Sequence, residues 1–104
     1  MKYISKYADF EGNVGNTVKI IGNIAMEIWQ HLTTLVDSHP FMNYFDLDDG
    51  YQIVIYTKDS LSCTEKIEIV GKLIKVEEKR KNPRSKIQDE YFEYQLLVDS
   101  WKCL

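Results

Sequence analysis

Apolar and polar residues alternate along five stretches of this chain, the period-two signature of a strand with one buried face. Over residues 17–30, Val18, Ile20, Ile24, Met26 and Ile28 share one parity, with Lys19, Asn23, Glu27 and Trp29 on the other. Residues 41–47 set Phe41, Phe45 and Leu47 against Met42, Tyr44 and Asp46, and residues 51–57 set Ile53 and Ile55 against Gln52, Val54 and Tyr56. Asp48-Asp49-Gly50 between them is a hairpin turn signal, because glycine tolerates the positive φ such turns require. A fourth strand is expected over about 66–76, with Ile67 and Ile69 inward. A fifth is expected over 91–98, with Phe92, Tyr94, Leu96 and Val98 on one parity.

The intervening segments carry no apolar periodicity. Residues 77–90 are polar and contain Pro83, which reads as a long exposed loop or a splayed hairpin tip. Residues 58–65 are too short for a substantial helix. The first thirteen residues have room for one or two helical turns, with Ile4, Tyr7 and Ala8 on one side. The expected organisation is an N-terminal extension or short helix over 1–13, followed by one barrel over 14–104.

Strands separated by turn signals, without helical stretches between them, predict an all-β sandwich or barrel. Val18-Lys19-Ile20-Ile21-Gly22-Asn23-Ile24 and Ile67-Glu68-Ile69-Val70-Gly71-Lys72-Leu73 repeat one pattern: apolar, charged, Ile, apolar, Gly, polar, apolar. Chance similarity between two β-rich heptads is the bland account. The structural account is that glycine inside a strand marks a bulge or tight bend. Two such sites, in the first and fourth strands, suit a small barrel whose strands bend to close.

The glycine-bent first strand, the hairpin running from Tyr44 through Asp48-Asp49-Gly50 to Tyr56, the Gly-Lys fourth strand and the fifth strand occur in that order over roughly residues 14–101. In this the chain resembles the OB-folds of archaeal replication protein A-like single-stranded DNA-binding proteins and related tRNA-binding modules. The resemblance implies an all-β, five-stranded OB-fold Greek-key barrel closed by pairing of strands one and four. It has a long loop between strands 4 and 5 and no substantial helix between strands 3 and 4, where many OB-folds carry one. The bottom of the barrel is then uncapped, or capped by residues 1–13. Such folds bind oligonucleotides across strands two and three, flanked here by loops at 31–40 and 77–90.

Length and composition narrow the class without naming a function. At 104 residues the chain fits one domain, and 44% apolar residues suffice for a packed core. No apolar run approaches the roughly 20 residues that cross a bilayer, and Met1 to Tyr7 hold no signal-peptide h-region, so a cytoplasmic setting without membrane contact is expected. Cys63 and Cys103 lie in no paired-ligand spacing; a disulfide is open to them, but the expected compartment favours free thiols.

The net charge of −3 argues mildly against a nucleic-acid partner, but its distribution does not. Residues 66–86 hold Lys66, Lys72, Lys75, Lys79, Arg80, Lys81, Arg84 and Lys86 against Glu68, Glu77 and Glu78, so this window is +5 and the remainder −8. One face is then attractive to polyanions on an acidic protein.

Single-strand binding needs rings for bases to stack on and cations for phosphates. Trp29, Tyr44 and Tyr56 point out of the barrel by parity, and Lys75, Lys79, Arg80, Lys81, Arg84 and Lys86 are placed to meet phosphates. An outward tyrosine also serves as strand-favouring filler or as cover under the N-terminal segment, and a charged loop also serves as a solubilising tip. His31 and His39 bracket the first loop and are able to stack or donate hydrogen bonds, although such residues are more often merely exposed.

Asp46 opposes the reading by placing a carboxylate near Tyr44. Asp46, Asp48 and Asp49 fail the calcium-loop spacing, since glycine falls at the fifth position rather than the sixth; they belong to the turn. No phosphate-binding glycine loop, nucleophile elbow or His-Glu-x-x-His is present, so no catalysis, metal or cofactor is expected. The expected partner is single-stranded DNA or RNA, with DNA favoured, and further domains or subunits of a multi-OB protein would add affinity by tandem linkage. The alternative is a protein-interaction OB-fold using the same outward rings as a hot spot. A small-molecule or oligosaccharide site on that face is a third class.

Overall fold

The computed structural model describes residues 2–4, 6–27, 31, 32, 34, 36–80 and 89–104, and the side chains of 2, 78–80 and 89–91 fall outside the description. Six strands form one sheet: β1 (Lys2–Tyr3), β2 (Thr17–Ile24), β3 (Phe41–Leu47), β4 (Gln52–Thr57), β5 (Ile67–Arg80) and β6 (Asp89–Cys103). Their order is β1-β2-β3-β4-β6-β5, and β5 returns to pair with β2, closing the last five strands into a barrel. The β4–β6 pair is parallel, whereas β2–β3, β3–β4, β5–β6 and the closing β2–β5 pair are antiparallel.

Closure depends on the two glycine heptads, which pair with each other from Thr17↔Lys72 to Gly22↔Ile67. Gly22 is where β2 changes partner, leaving Ile67 of β5 and meeting Leu47 of β3. A β-carbon there would meet the Asp46 carbonyl oxygen and the Phe45 ring, so a strand bent this sharply has no room for a side chain. Gly71 sits at the β-bulge after Val70, with its open face against the Leu97 carbonyl. Gly50 takes φ 92° in the hairpin turn, as the Asp-Asp-Gly signal requires.

The barrel interior is filled by alternate residues of every strand: Val18 and Ile20, Phe45 and Leu47, Ile53 and Ile55, Ile67, Ile69 and Leu73, and Tyr94, Leu96 and Val98. Residues 1–13 supply Ile4 and Phe10 to the same core and so plug it. This segment holds two helical turns, within the one or two expected. It is the short parallel strand β1 followed by two single 3-10 turns, Tyr7–Asp9 and Glu11–Asn13, and Ala8 is exposed rather than grouped with Ile4.

Four expectations need correction. The first strand ends at Ile24, not residue 30, and Met26 is 97% exposed instead of inward; Ile28 lies outside the described residues. The chain leaves the sheet there, after the Ala25 amide bonds the Tyr44 carbonyl at 2.8 Å, because polar partners on β4 and β6 hold it elsewhere. Residues 77–80 and 89–90 are paired strand, so of the two expected forms they take the hairpin and not the loop. Beyond Leu73, β5 pairs with β6 alone, forming a two-stranded arm, and past Val76 its β5 strand is a run of charged residues without apolar alternation.

The last strand also continues past Val98 to Cys103, since Val70 to Ile67 pair with Ser100 to Cys103 below the bulge. That continuation brings Cys103 beside the β4–β5 connection, where it forms a disulfide with Cys63 across 5.8 Å between α-carbons; the two are not free thiols. Residues 58–66 hold no helix, as expected. Among the described residues no helix is long and apolar enough to cross a membrane.

Candidate nucleic-acid interface

The outer face of β4 is not open. Gln52, Val54 and Tyr56 project away from the barrel interior, yet all three are buried. What covers Tyr56 includes the chain between β2 and β3. The Tyr56 hydroxyl donates to Gln95 Oε1 at 2.6 Å and accepts from the Thr34 amide at 3.0 Å, and Gln95 Nε2 donates to the Leu32 carbonyl at 2.7 Å. Glu93 accepts from the Leu32 amide through one carboxylate oxygen and from His31 Nδ1 through the other.

The far side of the His31 ring is held by Gln52. Gln52 Nε2 donates to the Glu27 carbonyl at 2.8 Å and to Asp46 Oδ1 at 3.0 Å, so its Oε1 is the acceptor that faces His31 Nε2 at 2.9 Å. The ring is thus held at both nitrogens, by Glu93 on one side and Gln52 on the other. The His31 and Glu93 side chains are only 7% and 8% exposed, so this is a buried polar pair with both ring nitrogens and both carboxylate oxygens engaged. Burial raises the Tyr56 phenol above its ordinary pKa, with Glu93 and Tyr44 adding to the effect while the Thr34 amide works against it.

The basic segment has a different geometry. Lys75 lies at the root of the arm, opposite Tyr94, with its ammonium 4.4 Å from the centre of the Phe92 ring and 3.2 Å from Glu77 Oε1. Phe92 is 44% exposed. It has the parity of the core residues Tyr94, Leu96 and Val98, but the arm outruns the barrel, so the inner side of the strand there faces solvent. Lys79 and Arg80 continue β5 opposite Glu90 and Asp89.

A cleft of about 440 Å³ lies where the β2–β3 and β4–β5 connections approach, and Glu27, Asp46 and Glu65 line it beside Ile24 and Met26. Three carboxylates repel a phosphate chain, so a nucleic acid is directed away from this cleft. Asp48 pairs with Lys66 at 3.2 Å, and Asp49 accepts from the Tyr51 amide at 3.0 Å, which is the turn role expected of these acids. Among the described residues no group of carboxylates, histidines and cysteines is arranged to hold a metal ion.

The expected site residues thus separate. His31, Tyr44 and Tyr56 share the outer face, with the His31 and Tyr44 rings 5.7 Å apart, but Tyr56 is 2% exposed and unable to stack on a base in this arrangement. The histidines are not surface residues: His31 is clamped and His39 is buried, its Nδ1 2.7 Å from Ser38 Oγ. Lys75 is on the opposite side of the β5–β6 ribbon from Glu93 and Gln95. Trp29, Lys81, Arg84 and Lys86 lie outside the described residues, and Lys79 and Arg80 are placed by backbone only. Tyr7, Tyr51, Phe92 and Tyr94 were not singled out by sequence; the last two carry a core parity that conceals their position on the arm. Comparisons with protein-family models, with curated proteins and with solved structures each returned no match.

Proposed function

We propose that the protein is an OB-fold module that binds single-stranded nucleic acid, DNA in preference to RNA and with little sequence preference, and that it binds rather than catalyses. Support for the fold comes from barrel closure: with β2 to β6 taken as strands one to five, strands one and four pair along the glycine heptads. The observation that carries the function is the arm. Lys75, Lys79 and Arg80 of the +5 segment lie along β5 in a two-stranded ribbon, and Lys75 sits against an exposed aromatic ring. Cation and ring on one surface match what a single strand needs.

The test is to neutralise Lys79, Arg80, Lys81 and Arg84 together and measure anisotropy of labelled single-stranded DNA and RNA. Loss of binding with an unchanged fold supports the reading; binding equal to wild type overturns it.

A second reading, a protein-interaction module, is favoured by Phe41 and Met42, adjacent and exposed at the start of β3. A partner held there would bind the neutralised variant as well as wild type. The cytoplasmic setting belongs to the first proposal and is tested separately, since reducing compartments keep cysteine pairs as thiols. Alkylation of Cys63 and Cys103 in protein drawn from intact cells supports it, and protection of both opposes it.

A further inference from the structure

A connected set of five aromatic rings surrounds the root of the arm. Phe10, fully buried, anchors it, 5.3 Å from Tyr7 and 6.1 Å from Tyr94 between ring centres. Tyr7 in turn lies 5.6 Å from Tyr94, and Tyr94 is 5.5 Å from Phe92. At the other end Tyr51 stacks on Tyr7 at 4.9 Å with only 14° between the planes. The row brings together an N-terminal 3-10 turn, the β3–β4 hairpin and β6. Its two ends, Tyr51 at 56% and Phe92 at 44% exposure, are open to solvent.

Single exposed rings are ordinary and need no explanation. Rings held in place by their surroundings are different. The Asp49 carboxylate accepts from the Tyr7 amide through Oδ2 at 2.8 Å and from the Tyr51 amide through Oδ1 at 3.0 Å, so one side chain pins the backbones beneath both stacked rings. With one Tyr51 face on Tyr7 and more than half of the residue exposed, the other face is presented to solvent, already ordered. A planar ligand stacking there meets little of the ordering cost that a mobile side chain would impose.

We propose that Tyr51, backed by Tyr7, and Phe92, flanked by Lys75, form a base-stacking platform for unpaired nucleotides at the root of the arm. This rests on the nucleic-acid reading and moves its stacking surface from the β3–β4 face, where Tyr56 is covered, to the side of the ribbon that carries Lys75. Charge selects a nucleotide over a neutral planar ligand. The Lys75 ammonium stands beside the Phe92 ring where the basic segment leaves the barrel, and Lys6 precedes Tyr7 on the exposed surface. Two carboxylates oppose this: Glu77, whose pair with Lys75 is solvent-exposed and readily exchanged for a phosphate, and Asp49, whose two oxygens are engaged by the Tyr7 and Tyr51 amides.

The experiment measures anisotropy of labelled oligothymidylate, and of the same oligonucleotide made abasic, against wild type, Tyr51→Ala, Phe92→Ala and Tyr51→Phe, with thermal melts verifying that each variant is folded. Each alanine variant is expected to weaken oligothymidylate binding about 5- to 150-fold, the loss of one stacked base, without changing the salt slope. Tyr51→Phe keeps the ring and binds as wild type, and the abasic strand does not distinguish the variants. If wild type binds and both alanine variants match it, the platform is wrong while the nucleic-acid reading stands. If wild type fails to bind at low salt, both are overturned.

Discussion

Tyr56 and Glu93 do different work in the buried polar seam, and substitution separates them. Tyr56→Phe keeps the ring but removes the hydroxyl, leaving Gln95 Oε1 and the Thr34 amide without that partner. The expected cost is about 1–3 kcal/mol in urea unfolding. Glu93→Ala is worse, because it leaves both His31 Nδ1 and the Leu32 amide without their partner in a site with little water. Removing one partner of a buried pair costs about 3–5 kcal/mol, and Leu32 amide exchange should accelerate in that variant.

Tyr56 also sets a sign for the alkaline limb. Below its ordinary pKa of 10.0 the phenol is neutral in both folded and unfolded chains, so its contribution is complete there. Above that pH the unfolded chain ionises while the folded one resists, and stability falls until the pH passes the raised native pKa. Stability measured from pH 9 upward is therefore expected to decline less steeply in Tyr56→Phe than in wild type. An identical slope would show that the phenol ionises freely in the fold.

The elements differ in how legible they were. Where one face is buried and the other wet, alternation located the strand closely: β3 occupies the 41–47 expected, and the Asp-Asp-Gly turn holds Gly50 at positive φ. The glycines of the paired heptads were equally readable, because a strand bent against a neighbouring backbone excludes a β-carbon at Gly22 and Gly71. Alternation failed where burial has another origin. Gln52, Glu93 and Gln95 are buried by a polar connection that no apolar period announces, and the arm persists by backbone pairing with little apolar surface. The site was less legible than the fold for the same reason, since the outward parity of Tyr56 was right but its cover was invisible.

The disulfide belongs to this scale as well. Compartment reasoning favoured thiols, whereas the pairing of β6 down to Cys103 decides their proximity. The bridge spans 40 residues of sequence, and cross-linking a loop of that length stabilises by about 4 kcal/mol in the chain-entropy account. Reduction with dithiothreitol is expected to lower the thermal midpoint by roughly 15–30 °C, and Cys103→Ser should match reduced wild type. A midpoint unchanged by reductant would mean that the bridge contributes nothing beyond the β5–β6 pairing around it.

Across the whole molecule the charges are segregated, with an acidic remainder of −8 and a basic segment of +5 that supplies Lys75, Lys79 and Arg80 to β5, while Asp89 and Glu90 of the remainder stand opposite the last two on β6. Under the proposed reading a polyanion is kept from the carboxylate-lined cleft and drawn to the cations of β5. The central claim, that the arm holds a single nucleic-acid strand by its phosphates, is tested most directly by titrating wild type with a labelled single-stranded oligonucleotide at several salt concentrations. The account predicts that affinity falls linearly on a log–log plot, with a slope of about −0.7 for each phosphate neutralised and a total set by several lysines and arginines. Absence of binding at low salt, or binding that salt leaves unchanged, would contradict it.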